Sequence, residues 1–208
     1  MSKNGVSMLV GIDFDNTIIS YDTVFNRVGI ERGMIPSSLA RGKGHVRDFL
    51  RKQGKEKDWI WLQGYVYGTQ LHNADIYEGV KEFLEFCRRA KIECVIVSHK
   101  TRYPYSGEKY DLHSSAYEWI KDQSLGIDVF FELTKEEKVK RIGQLNCSFF
   151  IDDLPEFLAL EGFSEKLVKI LFDPLSEHGH SDYGYLRAGS WKEIQEIFQQ
   201  TLLHHESA

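Results

Sequence analysis

Apolar residues in this chain gather into short runs of strand length, and the stretches between them carry a helical repeat. The run Val6–Ile12 (VSMLVGI) comes first. Ile92–Val97 (IECVIV), Asp128–Leu133 (DVFFEL), Ser148–Ile151 (SFFI) and Leu167–Phe172 (LVKILF) follow much later. All are rich in β-branched or aromatic residues and are shorter than an ordinary helix. Between them, Gly79–Ala90, Leu112–Gln123 and Lys135–Leu145 repeat their apolar positions with a period near that of the α-helix. Ser190-Trp191-Lys192-Glu193 has the spacing of a capping box and predicts a last helix of roughly three turns. Strands alternating with helices predict an α/β fold. The expected form is a doubly wound, Rossmann-like parallel sheet of about five strands with helices on both faces.

One stretch breaks the alternation. Residues 21–74 hold no buried strand but several amphipathic patterns, among them Val46–Arg51 and Lys57–Tyr67, interrupted at Arg41-Gly42-Lys43-Gly44. They are read as a small α-helical cap inserted over the carboxyl edge of the sheet, leaving 1–20 and 75–208 as the core domain. Trp59, Trp61, Tyr65 and Tyr67 fall in this insertion and are read as its packing core rather than as a stacking platform.

Composition narrows the class without naming a function. At 208 residues the chain can bury a core without disulfides or a structural metal. Its formal net charge of −5 disfavours a general nucleic-acid binder. The three cysteines form no CxxC pair, and the odd number suits a reduced, cytoplasmic chain. The N-terminus has no long apolar stretch, so neither a signal peptide nor a membrane span is expected.

The chemistry lies where the strands end. In a doubly wound sheet, ligands bind outside the carboxyl ends of the strands. The first strand delivers Asp13 and Asp15 there, and Ile92–Val97 delivers Ser98, His99 and Lys100. Ser148–Ile151 delivers Asp152 and Asp153, and the helix after Leu133 brings Lys135 and Lys138. Carboxylates are costly to bury unpaired, so four of them at one edge are hard to explain as packing. They suit phosphoryl transfer with Mg²⁺, which takes carboxylates and phosphate oxygens as ligands. A carboxylate nucleophile, a second acid/base, and a hydroxyl and a lysine on the phosphoryl oxygens would complete such a site. Strand alternation would point Asp13 and Asp15 the same way, but a chain leaving the strand there would not obey it.

Asp13-Phe14-Asp15-Asn16-Thr17 resembles the DxDxT motif of the haloacid dehalogenase (HAD) superfamily. Val95-Ile96-Val97-Ser98 resembles its second motif, Lys138 its third and Phe150-Ile151-Asp152-Asp153 its fourth, all in family order. The resemblance implies a phosphatase-type member with a helical cap between motifs one and two. It implies Asp13 as nucleophile and metal ligand, Asp15 as acid/base with its carbonyl on the metal, and Ser98 and Lys138 on the phosphoryl group. Asp152 and Asp153 would complete the Mg²⁺ site, and Thr17 would orient the loop. Asn16 stands where many members carry glycine, and Lys135 competes with Lys138 for the third role. Asn16, Thr17, His99, Lys100 and Arg102 are the candidates for the substrate side. The expected activity is Mg-dependent hydrolysis of a small phosphorylated metabolite, a sugar phosphate or nucleotide, through an aspartyl-phosphate. The alternatives are a nucleic-acid end-processing phosphatase, disfavoured by the acidic charge, and a non-catalytic module, disfavoured by the intact motifs.

Overall fold

A computed structural model describes residues 8–176, 178 and 184–206, without the side chains of 203–206. Val6 and Ser7 of the first apolar run lie outside the described residues. In chain order the elements are β1 (Leu9–Ile12), β2 (Ile19–Ser20), α1 (Asp22–Glu31), α2 (Lys43–Lys52), α3 (Glu56–Thr69) and a 3-10 turn (Leu71–Asn73). Next come β3 (Asp75–Ile76), α4 (Val80–Arg89), β4 (Glu93–His99), α5 (Leu112–Asp122), β5 (Asp128–Glu132) and α6 (Lys135–Gln144). The chain then forms β6 (Phe149–Asp152), α7 (Pro155–Leu158), β7 (Val168–Phe172), β8 (Leu186–Ala188) and α8 (Trp191–Glu206).

β2 and β3 pair antiparallel as a separate two-stranded sheet, and the other strands form a parallel sheet in the order β5-β4-β1-β6-β7-β8. It has six strands among the described residues, one more than expected. The addition is β8, whose Leu-Arg-Ala is too short and too polar to signal a strand. Phe149 and Phe150 show why both faces are covered. Successive side chains of a strand point to opposite faces. Phe149 meets Phe198 of α8, centroids 4.3 Å apart, and Phe150 meets Phe157 of α7 at 5.9 Å. Around Phe150 the core continues through Val95, Val97, Val139, Ile142 and Leu171. On the other face Phe83, Phe172, Trp191 and Phe198 form an aromatic cluster. The third position of β1 must be Gly11, because a Cβ there would lie 2.6 Å from Cδ2 of Phe150.

The chain divides into two compact units, Met1–Ile18 with Tyr77–His99 and Ile127–Ala208, and Ile19–Ile76 with Lys100–Gly126. The second unit is therefore larger than the 21–74 insertion read from the sequence. It also takes the stretch after β4, including α5, which that reading kept with the sheet. Contacts inside the unit explain the difference. A Cβ on Gly64 of α3 would lie 2.6 Å from Pro104, and one on Gly68 would lie 2.3 Å from Tyr110. The loop before α5 thus lies against the glycine side of α3. Ser115 Oγ donates to Gly68 O at 3.0 Å, and Trp119 Nε1 donates to Ala74 O at 3.3 Å. The unit is otherwise built on Tyr21, Phe25, Trp59 and Tyr67. Trp61 and Tyr65 are partly exposed and stack at 5.1 Å, with the Arg32 guanidinium over both.

The last helix is longer than expected, with Ser190 Oγ accepting the Glu193 amide at 3.2 Å. Glu193 reaches back to the amide of Gly189, one residue before the cap, so the reciprocal half of the expected box is displaced. A complete capping box occurs instead at Thr134 and Glu137, at the start of α6. No helix among the described residues is long and apolar enough to cross a membrane.

Candidate active site

The sheet order reverses at β1, which has β4 on one side and β6 on the other. Such a switch point leaves a crevice at the carboxyl ends of the strands. Asp13 follows β1, Ser98 lies near the end of β4, and Asp152 ends β6. Three adjacent strands thus deliver three polar side chains to one place, and all three residues are buried.

Oδ1 of Asp13 accepts a hydrogen bond from Ser98 Oγ at 2.9 Å and another from Lys138 Nζ at 2.6 Å. Lys138 also donates to Oδ2 of Asp152 at 2.5 Å, while Oδ1 of Asp152 accepts the Leu154 amide at 2.9 Å. The Thr134–Glu137 box starts α6 so that Lys138 turns inward from its first full turn. There the Nζ also lies 4.1 Å from the Phe157 ring centroid. Burial works against the Lys138 charge, yet Asp13 and Asp152 hold its ammonium above the ordinary lysine range. Burial, reinforced by the Asp13 charge, pushes the Asp152 carboxyl up in spite of Lys138. Lys135, the rival candidate, lies nearer the surface, 3.8 Å from Glu156.

Asp13, Asp152 and Asp153 each offer one carboxylate oxygen, and these oxygens lie within 4.8 Å of one another. The Asp15 carboxylate is not in this group. The reason is the backbone: β1 ends at Ile12, and the chain turns, with Ile18 N bonded to Phe14 O at 3.1 Å. Strand alternation therefore does not govern Asp13 and Asp15. Asn16 has φ +60° in this turn, a left-handed conformation that asparagine tolerates better than most residues. That explains how it stands at a glycine-like position. Thr17 is fully buried, its carbonyl accepts Trp191 Nε1 at 3.1 Å, and its Oγ1 has no hydrogen-bond partner.

His99 is turned to the end of β5, where its Nε2 lies 3.0 Å from Leu133 O. Lys100 and Arg102 belong to the second unit, and Arg102 is fixed to Asp111 by two hydrogen bonds of 3.1 Å. Asp111 also caps α5 through the amides of His113 and Ser114. The sequence reading missed this clasp, although Asp111 one residue before an amphipathic run is an N-cap signal.

The carboxylate group fits an oxygen-liganded divalent cation. Its donors are all carboxylate oxygens, with no nitrogen or sulfur, which selects hard ions of the Mg²⁺ type. Within the group, Lys138 pairs with both Asp13 and Asp152.

No protein-family model matches the chain, and no curated protein resembles it in sequence. Solved structures do resemble it in fold. A HAD-superfamily hydrolase from Ehrlichia chaffeensis aligns over 95% of this chain and 100% of its own, with a TM-score of 0.58 and 18% identity. A predicted phosphoglycolate phosphatase from Haemophilus somnus aligns over 94% of this chain and 99% of its own, with a TM-score of 0.54 and 14% identity. The HAD-hydrolase YfnB from Bacillus subtilis, a structure bound to magnesium, aligns over 92% and 98%, with a TM-score of 0.51 and 12% identity. The chain thus has the α/β fold of HAD hydrolases, as the ordered motifs led one to expect.

Proposed function

We propose that this chain is a divalent-metal-dependent phosphomonoesterase that works through an aspartyl-phosphate on Asp13. The observation that carries the reading is the Asp13 carboxylate. It is buried, held by Ser98 and Lys138, and grouped with the carboxylates of Asp152 and Asp153. A surface carboxylate needs none of this, whereas a nucleophile aimed at a charged phosphorus needs all of it. The solved structures of the same fold include one described as a phosphatase and one described as bound to magnesium.

In this mechanism a carboxylate oxygen of Asp13 attacks phosphorus, the ester P–O bond breaks, and the leaving oxygen takes a proton from Asp15. Water, deprotonated by Asp15, then attacks the phosphorus of the acyl phosphate, releasing inorganic phosphate and restoring Asp13. Ser98 and Lys138 hold Asp13 and would donate to equatorial phosphoryl oxygens. A Mg²⁺ ion held by Asp13, Asp152 and Asp153 would supply neutralisation of phosphate charge as the nucleophile approaches. Asn16 supplies the left-handed turn that carries Asp15 out of the strand direction. The substrate class is a small phosphorylated metabolite, and the three free cysteines fit a reducing, cytoplasmic setting.

The test is phosphate release from p-nitrophenyl phosphate by the full-length protein with Mg²⁺ and with EDTA. Turnover with Mg²⁺, loss in EDTA, and a fall of at least about 10³-fold in Asp13→Asn are expected. Full activity in folded Asp13→Asn would sink the nucleophile assignment.

A further inference from the structure

Two of the three cysteines lie in the layer between α4 and β4. Cys87 is on the buried side of α4 with Val80, Phe83 and Leu84, and it is 1% exposed. Cys94 is the second residue of β4, where it is half-buried. The register sets Cys94 beside Val10, and Val10 beside Phe149, so these side chains share one face of the sheet. On that face Phe149 meets Phe198, and Phe198 meets Phe83 of α4. Cys94 thus points into the layer where Cys87 is buried. Cys147 is on the opposite face, where a Cβ on Gly11 would lie 3.1 Å from its Sγ.

The backbone keeps the two thiols together. Only Ala90, Lys91 and Ile92 connect α4 to β4. Lys91 takes φ +56°, and the Ile92 amide donates to Cys87 O at 2.8 Å, so the connection doubles back on Cys87 itself. A cysteine that merely packs needs no thiol opposite it. Here the two thiols share a hydrogen bond, which with burial and the Cys94 charge holds the Cys87 thiol well above its ordinary range. Two of these three causes are Cys94 itself, and they vanish once the Cys94 sulfur is bonded to another sulfur.

We propose that Cys87 and Cys94 form a thiol–disulfide exchange site whose substrate is the disulfide of a low-molecular-weight thiol. Cys94, the less buried of the two, reacts first. Its thiolate sulfur attacks one sulfur of the small disulfide, whose S–S bond breaks. One small thiol leaves with the electron pair and takes up the proton that Cys94 released. Cys87 then gives up its proton, and its sulfur attacks the Cys94 sulfur of the mixed disulfide. The mixed S–S bond breaks, and the second small thiol leaves with that proton. Two protein thiols are oxidised to one disulfide, and one small disulfide is reduced to two thiols. Excess small thiol drives the same steps backwards. The site is independent of the hydrolysis proposed above, and its disulfide ties α4 to the strand that carries Ser98.

The test treats the full-length chain in EDTA with oxidised glutathione, quenches with acid and maps the tryptic peptides by mass spectrometry. Arg88, Arg89 and Lys91 lie between the two cysteines, so trypsin parts them and a disulfide appears as two peptides in one ion. The native protein is expected to lose two hydrogens, to join the Cys87 and Cys94 peptides, and to regain free thiols in dithiothreitol. Cys147 should stay reduced. Cys87→Ser should stop at the mixed disulfide, with one glutathione on Cys94. Cys94→Ser should react at least about tenfold more slowly than wild type. The map is read on the wild type, so a variant that fails to fold leaves the test intact. A link that forms only in urea, a link to Cys147, or the lack of any link overturns the site. So does a folded Cys94→Ser protein that reacts as fast as wild type.

Discussion

Nζ of Lys138 donates to Oδ1 of Asp13 at 2.6 Å across 125 positions of sequence, and both side chains are almost entirely buried. The same ammonium holds Asp152, so one cation keeps two interior carboxylates in place. Removing one partner of a buried ion pair strands the other charge and costs about 3–5 kcal/mol. Lys138→Met is therefore expected to lose about that much stability in EDTA, measured by urea unfolding, and to regain part of it with Mg²⁺. The Lys138 pKa is raised by folding, so its contribution is complete below the ordinary lysine pKa and is lost only as pH rises past it. The difference between wild type and Lys138→Met should hold across neutral pH and shrink in the alkaline range above about pH 10.5.

Ser98→Ala removes a donor to Asp13 without charge and with little change of volume. Loss of one such donor at a developing charge costs about 10²–10³ in kcat. Phosphate release is expected to fall in that range while the melting temperature moves by only a few degrees, read by calorimetry.

The Thr17 hydroxyl is buried with no hydrogen-bond partner, which is an energetic cost to the fold. Thr17→Val keeps the shape and removes that cost. Stability is expected to stay level or rise by about 1 kcal/mol, while kcat falls if the hydroxyl serves the reacting state. A fall in stability with activity intact would give the hydroxyl a purely structural place.

At Gly11 any Cβ meets the Phe150 ring, which is itself packed on Phe157. Gly11→Ala should cost about 1–3 kcal/mol through overpacking, measured by urea unfolding.

Burial pushes the Cys147 thiol up to about 11, and a hydrogen bond with Cys94 together with burial raises Cys87 further. Both thiols should resist iodoacetamide at pH 8 in the native protein and react promptly once it is unfolded, as counted by mass spectrometry. Because their pKa values are raised by folding, their contribution to stability is lost only as pH climbs through those values.

The placing of acids and a hydroxyl at strand ends was legible in the sequence. Asp13, Ser98 and Asp152 stand at strand ends, and strand ends are visible as apolar runs that stop at a polar residue. The choice of Lys138 over Lys135 was not legible in that way. Both lie at the start of α6, and only the sheet beneath them shows which one turns inward. Asn16 looked like a departure from glycine until its positive φ showed that the backbone, not the side chain, sets the requirement. β8 escaped notice because three residues carry no periodicity. The extent of the helical unit escaped for a different reason. Gly64 and Gly68 meet Pro104 and Tyr110 from some forty positions away. No local window contains both sides of that contact.

That contact bears on how the molecule can be taken apart. An insertion entered once and left once can be cut out and replaced as a cassette. Here the polypeptide passes between its two units at Ile18, Tyr77, His99 and Ile127, four times in all. Deleting 21–74 would strip Pro104, Tyr110 and Trp119 of the surfaces they pack or bond against. A chimera would have to exchange both segments together. The helical unit is built from a matched pair of segments that must pack on each other to form it.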